Sequence, residues 1–213
     1  MRTLTLFAFA FVAWLQVSAS AVAHPHLWVG MRTGILFDDA GKVEALQVHW
    51  RFDELYSLLL LEELKGPDGE ISDDRLQDLA RQNIENLKEF SYFTFIEVAG
   101  QKVSFREITQ YESKVEGNRV SLDFIIPLKE SVDPLLQSFN YAIFDPTYFI
   151  SFVHMEQSPV VLDGDARPEC RYAIEEPDPN PEVVSFANSL DKTESGGDGL
   201  GIQFTERVAL LCE

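Results

Sequence analysis

The sequence predicts an α+β fold: a mainly antiparallel, sandwich-like β domain with a two-helix insertion. Three observations predict it. Apolar residues alternate with a period of two over most of the chain beyond residue 24, as in half-buried strands. That period gives way to a helical one between about residues 53 and 90. Short Gly-, Asn- and Asp-containing turns separate the alternating runs.

Residues 24–37 read as a strand, with Leu27, Val29, Met31, Ile35 and Phe37 on one face. Asp38-Asp39-Ala40-Gly41 reads as a turn, in which Gly41 can take a left-handed conformation. Residues 43–52 return as a second strand. Its apolar parity starts on Val43 and Ala45, then moves to Leu46, Val48, Trp50 and Phe52. A one-residue bulge near Glu44–Leu46 accounts for the shift.

Residues 53–64 change character. Leu55, Leu58, Leu59 and Leu61 predict a buried helix with Asp53 as N-cap, ended by Gly66-Pro67-Asp68-Gly69. A second helix is predicted over residues 72–90, with Ser72 as N-cap and Leu76, Leu79, Ala80, Ile84 and Leu87 on one stripe. Strands are predicted again at 92–98, 102–113, 119–127, 139–144, 148–155, 160–162 and 171–174. Pro177 to Pro181 forms a stiff connector, a short helix is expected over 182–190, and Ser195 to Gly199 forms a flexible connector. The domain expectation is a leader over residues 1–23, the β-rich domain over 24–176, and a loosely attached tail over 177–213.

The leader has a short basic start at Arg2, an apolar run from Leu4 to Val17, and Ala21-Val22-Ala23. This is the layout of a cleaved secretory signal peptide. The apolar run is shorter than the ~20 residues that span a bilayer. The sequence therefore predicts an exported, periplasmic protein that is not membrane-embedded after cleavage. The two cysteines suit that compartment. Cys170 and Cys212 are expected to form a disulfide that pins the tail, worth on the order of 3–4 kcal/mol for a loop of this size.

The chain has 213 residues and a net charge of −18, set by 35 acidic against 17 basic residues. That balance excludes nucleic-acid binding through phosphate neutralisation and favours cations near the surface. No G-x-S-x-G or other nucleophile motif is present, so the chain reads as a binding protein and not an enzyme. Gly66–Ser72 resembles a calcium loop only superficially. Aligning Gly69 with the invariant glycine puts Leu64 and Arg75 at ligand positions.

The chemistry concentrates in His24-Pro25-His26, two of only four histidines. Cleavage after Ala23 would make His24 the N-terminus, offering an α-amine and an imidazole on one residue. His26 lies two residues on and faces the same way in an extended chain. Such nitrogen donors suit zinc, nickel, cobalt or copper. Pro25 has no amide proton, so the backbone cannot complete a planar chelate and further ligands must come from the fold. Asp53 is the best hairpin candidate. With Asp53 level with His26, His49 lies four residues farther along, about 13 Å away, so it joins only if the N-terminus folds back. Asp145, before Pro146, is a candidate at a strand end. His154, in an apolar strand, reads as structural.

Several motifs occur in order: His24-Pro25-His26-Leu27-Trp28-Val29, His49-Trp50-Arg51-Phe52-Asp53-Glu54, Asn86-Leu87-Lys88-Glu89-Phe90-Ser91-Tyr92-Phe93-Thr94, and Tyr141-Ala142-Ile143-Phe144-Asp145-Pro146-Thr147-Tyr148-Phe149. In these the chain resembles the DUF1007 family of exported bacterial proteins, over about residues 1–175. The resemblance implies a periplasmic component of a transport system accompanying nickel/cobalt-type membrane transporters, hence divalent-metal handling with such a transporter as partner. Three other readings compete with it. One is a solute-binding component of an ABC-type transporter carrying an organic ligand or metal chelate. The others are a copper enzyme with an N-terminal histidine brace and a plain interaction domain.

Overall fold

A computed structural model describes residues 25–191 and 194–213. The leader and His24 lie outside the described residues. Two sheets, mostly antiparallel, share one hydrophobic core, giving an α+β fold dominated by β structure.

Strands β1 (Leu27–Phe37) and β2 (Val43–Phe52) form the central hairpin of the first sheet. Gly41 has φ 69° in the connecting turn. Leu36 pairs with Ala45 and Phe37 with Val43, so Glu44 is the extra residue of a bulge. The bulge puts Val43 on the same buried face as Leu46 and Val48, while Ala45, opposite Leu36, is buried on the other face. Strands β3 (Thr94–Val98), β4 (Gln101–Lys102), β5 (Tyr111–Glu116), β6 (Arg119–Val132), β7 (Phe139–Ile143), β8 (Ile150–His154), β9 (Val160–Gly164), β10 (Cys170–Glu175) and β11 (Arg207–Cys212) complete the set. The run expected over 102–113 is therefore divided, with an irregular stretch between β4 and β5.

The first sheet runs β5-β6-β2-β1-β8. Both β8 and β9 pair with β1 in parallel, one after the other along its length. The second sheet runs β10-β11-β7-β3-β4. Met31, Trp50 and Phe124 from the first sheet meet Ile96, Phe139 and Tyr141 from the second in the common core. The Thr33 and Tyr141 hydroxyls are bonded to each other across it, and burial raises the Tyr141 pKa.

Helices α1 (Glu54–Leu64) and α2 (Asp73–Leu87) form the insertion. Ser72 caps α2 by accepting from Arg75 N. Ala80 and Ile84 of α2 are buried, with Leu76, Leu79 and Leu87 partly so, following the expected stripe. Helix α1 differs from expectation. Leu55, Leu58 and Leu59 are 72, 54 and 61% exposed, and Ser57, Leu60 and Leu64 face inwards. The Ser57 hydroxyl donates to Phe52 O and accepts from Val120 N, which rivets that face to the first sheet. Leu58 to Leu61 is apolar all round, so periodicity could not choose the buried side.

A 3-10 segment, Lys88–Phe93, follows α2. Ser91, Tyr92 and Phe93 have φ of 52, 53 and 50°. Three consecutive left-handed non-glycine residues cost roughly 1–2 kcal/mol each. Their surroundings hold them there: Tyr92 and Phe93 are buried, and Phe144 N donates to Phe93 O at 2.9 Å.

The expectation of a loosely attached C-terminal tail is corrected. β11 is an interior strand between β10 and β7, and Cys170 and Cys212 are paired neighbours joined by a disulfide. Helix α3 (Pro181–Ser189) leads into a second small cluster formed by Ala187, Leu190 and Leu200. Tyr148 stacks on Phe204 beside it at 4.2 Å.

Candidate functional site

The first residues of β1 lie where three chain segments meet. His26 N donates to Phe149 O at 2.8 Å, and the His26 ring packs on the Phe149 ring at 4.6 Å. Asp53 N donates to Trp28 O at 3.0 Å, and Asp53 Oδ2 accepts from Trp28 N at 3.1 Å. Asp53 Oδ1 caps α1 by accepting from Tyr56 N at 2.8 Å. One carboxylate thus stitches the start of β1 to the start of α1.

Asp53 stands level with Trp28, two residues on from His26. Diagonal neighbours across such a pair are about 7–8 Å apart. An imidazole and a carboxylate can reach across that span to one ion bound at ~2 Å. Each Asp53 oxygen receives one backbone donor and keeps a lone pair. His26 and Trp28 share the outer face of the strand, where Trp28 is half-exposed.

Asp145 is close in the fold but differently used. Its Oδ1 accepts from the Thr147 amide and hydroxyl, and its Oδ2 accepts from Phe149 N and Ile150 N. Four donors occupy all of its in-plane lone pairs, and it is 6% exposed. This aspartate shapes the loop into β8, including Tyr148 at φ 61°. In the described geometry it has no lone pair left for an ion.

His49 lies elsewhere. It pairs with Arg32 on β1, six residues from His26 and about 20 Å along the strand. That is farther than the 13 Å expected, because Asp53 is level with Trp28 and not with His26. His49 Nδ1 is 2.8 Å from Asp123 Oδ1, and Lys114 also approaches Asp123.

A second histidine–carboxylate pair is more enclosed. His154 lies on the inner face of β8, with its side chain 3% exposed and its Nδ1 2.8 Å from Glu206 Oε2. The same oxygen accepts from His154 N at 2.7 Å. Burial alone would push the Glu206 pKa up, but the two hydrogen bonds from His154 outweigh it and hold the carboxyl below its ordinary value. Sequence reasoning missed Glu206 and Asp123. Asp123 follows from strand register once β6 is paired to β2, whereas nothing local in the sequence marks Glu206. Among the described residues, no three His, Cys, Asp or Glu side chains are grouped to hold a metal.

Fold and site together define an α+β protein with a β-dominant core, whose polar donors gather at the entrance to its central strand. The chain belongs to the family described as "Protein of unknown function (DUF1007)", which it matches over residues 9–212. It is 23% identical over 201 residues to an uncharacterized protein of Haemophilus influenzae, an alignment covering 93% of this chain and 96% of that protein. It is also 29% identical over 98 residues to an uncharacterized 15.5 kDa protein of Spirochaeta aurantia, covering 45% of this chain and 67% of that one.

Proposed function

We propose that this is an exported accessory protein that captures a divalent transition-metal ion outside the inner membrane and exchanges it with a membrane transporter. His24, through its α-amine and imidazole, His26 and Asp53 form the ligand set. His49 and Asp145 lie outside it. The observation that carries the reading is the diagonal placement of His26 and Asp53 at the start of β1, with a lone pair free on each Asp53 oxygen. The ion is cargo. Nitrogen donors with one carboxylate suit zinc, nickel, cobalt and copper, and the net charge of −18 concentrates cations without choosing among them. A site built on the first residues of a strand releases its ion more readily than one enclosed in the core, as transfer requires.

The test is calorimetric titration of the protein beginning at His24 with zinc, nickel, cobalt and copper. A form with one extra residue before His24, His26→Ala and Asp53→Asn are titrated in parallel. Each change is expected to weaken the preferred metal at least tenfold. Equal affinity in all four forms would move the site elsewhere, and absence of binding in the unextended form would overturn the reading.

A further inference from the structure

The second sheet has an outer face, turned away from the core, and a half-open hollow of about 150 Å³ lies on it. Strand register builds the hollow. Phe95, Ala142 and Arg207 stand abreast on β3, β7 and β11, and Lys102, Glu97 and Asn140 stand abreast on β4, β3 and β7, two residues along. Ile96, Val98, Phe139 and Tyr141 alternate with them and fill the core, so this second set projects outwards. Ala142 is the small residue in the middle of its row, which leaves the floor low there. Phe144 stacks on Phe95 at 4.3 Å as one wall, and Ile202 adds further apolar surface. A cavity of about 150 Å³ is enough to hold benzene, so the side chain of a phenylalanine or a leucine fits.

Charges of both signs line the hollow: Glu97, Lys102 and Arg207, all exposed. Glu97 and Lys102 are direct cross-strand partners, a placement in which opposite charges attract. They do not pair here. The Lys102 ammonium lies over the Phe95 ring, 5.8 Å from its centre. Among the described residues, none of these three side chains takes part in an ion pair. A simple anion could meet the two cations, but the net charge of −18 repels it, as does Glu97 at the site. A molecule carrying both charges is neutral overall, escapes that repulsion and finds a partner for each end.

We propose that this hollow binds a free amino acid with an apolar side chain. The carboxylate lies between Arg207 and Lys102, where a guanidinium fork holds a carboxylate through two hydrogen bonds. The ammonium faces Glu97, with the Asn140 side-chain carbonyl as a second acceptor. The apolar side chain lies over Ala142, against Phe144 and Ile202. The site is on the other sheet from the β1 ligand set and does not depend on it.

Four probes dissect the recognition. The folded chain is titrated calorimetrically, in metal-free buffer, with phenylalanine, phenylpropionate, phenethylamine and glycine. The last three lack the ammonium, the carboxylate and the ring in turn. Phenylalanine is expected to bind one-to-one, and each of the others at least fivefold more weakly. Glu97→Gln should bring phenylalanine down to the affinity of phenylpropionate while leaving phenylpropionate no weaker. Arg207→Gln should weaken phenylalanine at least fivefold while leaving phenethylamine no weaker. Both positions are exposed, so the circular dichroism spectrum should not change. Ala142→Leu, which fills the floor, should abolish binding of all three ring compounds. No binding of phenylalanine, equal or tighter binding of a singly charged analogue, or an equal loss of phenylalanine and phenylpropionate in Glu97→Gln would each overturn the proposal.

Discussion

Two aspartates follow strands of this fold, Asp53 after β2 and Asp145 after β7, and each organises a backbone turn. They differ in how completely they are used. Asp145 is buried and accepts four hydrogen bonds within five residues of itself. Asp53 is partly exposed and accepts two, one from its own helix and one from β1. The same side chain is a closed structural knot in one loop and a half-open group in the other. A carboxylate's capacity for an ion is decided by how many donors already reach it, which residue type and position in the chain do not reveal.

The largest way to test that contrast is Asp145→Ala. Removing a buried carboxylate leaves four donors unpaired, and hydrogen bonds to charged groups contribute about 1.5–3 kcal/mol each. Because such losses are not additive, a loss of about 4 kcal/mol or more is expected in urea unfolding. A loss below about 1 kcal/mol would show that the loop is held by something else.

Glu206 gives an intermediate effect and a pH signature. Its folded pKa is depressed, so the unfolded chain binds the extra proton. The stabilisation is therefore present above the ordinary glutamate value of 4.5 and lost as pH falls through the folded pKa. Glu206→Gln should cost about 1–2 kcal/mol near pH 7 and make stability flatter below pH 4.5. Parallel pH profiles for both proteins would remove Glu206 from the acid response.

Asp53 should give the smallest stability change. Asp53→Ala removes both the helix cap and the acceptor for Trp28 N and should cost about 1–1.5 kcal/mol at this partly exposed site, whereas Asp53→Asn keeps one oxygen for the cap but turns an NH2 toward the other donor and should cost about 0.5–1 kcal/mol. Thermal unfolding of the pair checks this. If Asp53→Asn destabilised as much as Asp145→Ala, the two loops would not differ in the way described.

Much of the framework was legible in the sequence. Period-two patterning located β1 and β2, and the shift from Ala45 to Leu46 marked the bulge at Glu44, because a strand can change its buried face only by adding a residue. The α2 stripe was readable because its polar and apolar faces are distinct. Helix α1 was not, because Leu58 to Leu61 offers leucine to every side and the Ser57 hydrogen bonds to β2 and β6 selected the face. The strand at 207–212 was hidden by the flexible connector preceding it. Its interior place depends on β7 and β10, both distant in sequence.

By itself the sequence determined the β-rich class, the helical insertion, the cysteine pair and the grouping of nitrogen donors around His24 and His26. These are local properties, written in periodicity, turn chemistry and composition. Only the tertiary structure decided that Asp53 stands diagonal to His26, that Asp145 is saturated, and that His49 lies about 20 Å away along β1. The places of Asp53 and His49 depend on strand register, which a one-residue slip would reverse; the saturation of Asp145 depends on the backbone conformation of its own loop, with Tyr148 at φ 61°, which composition does not show.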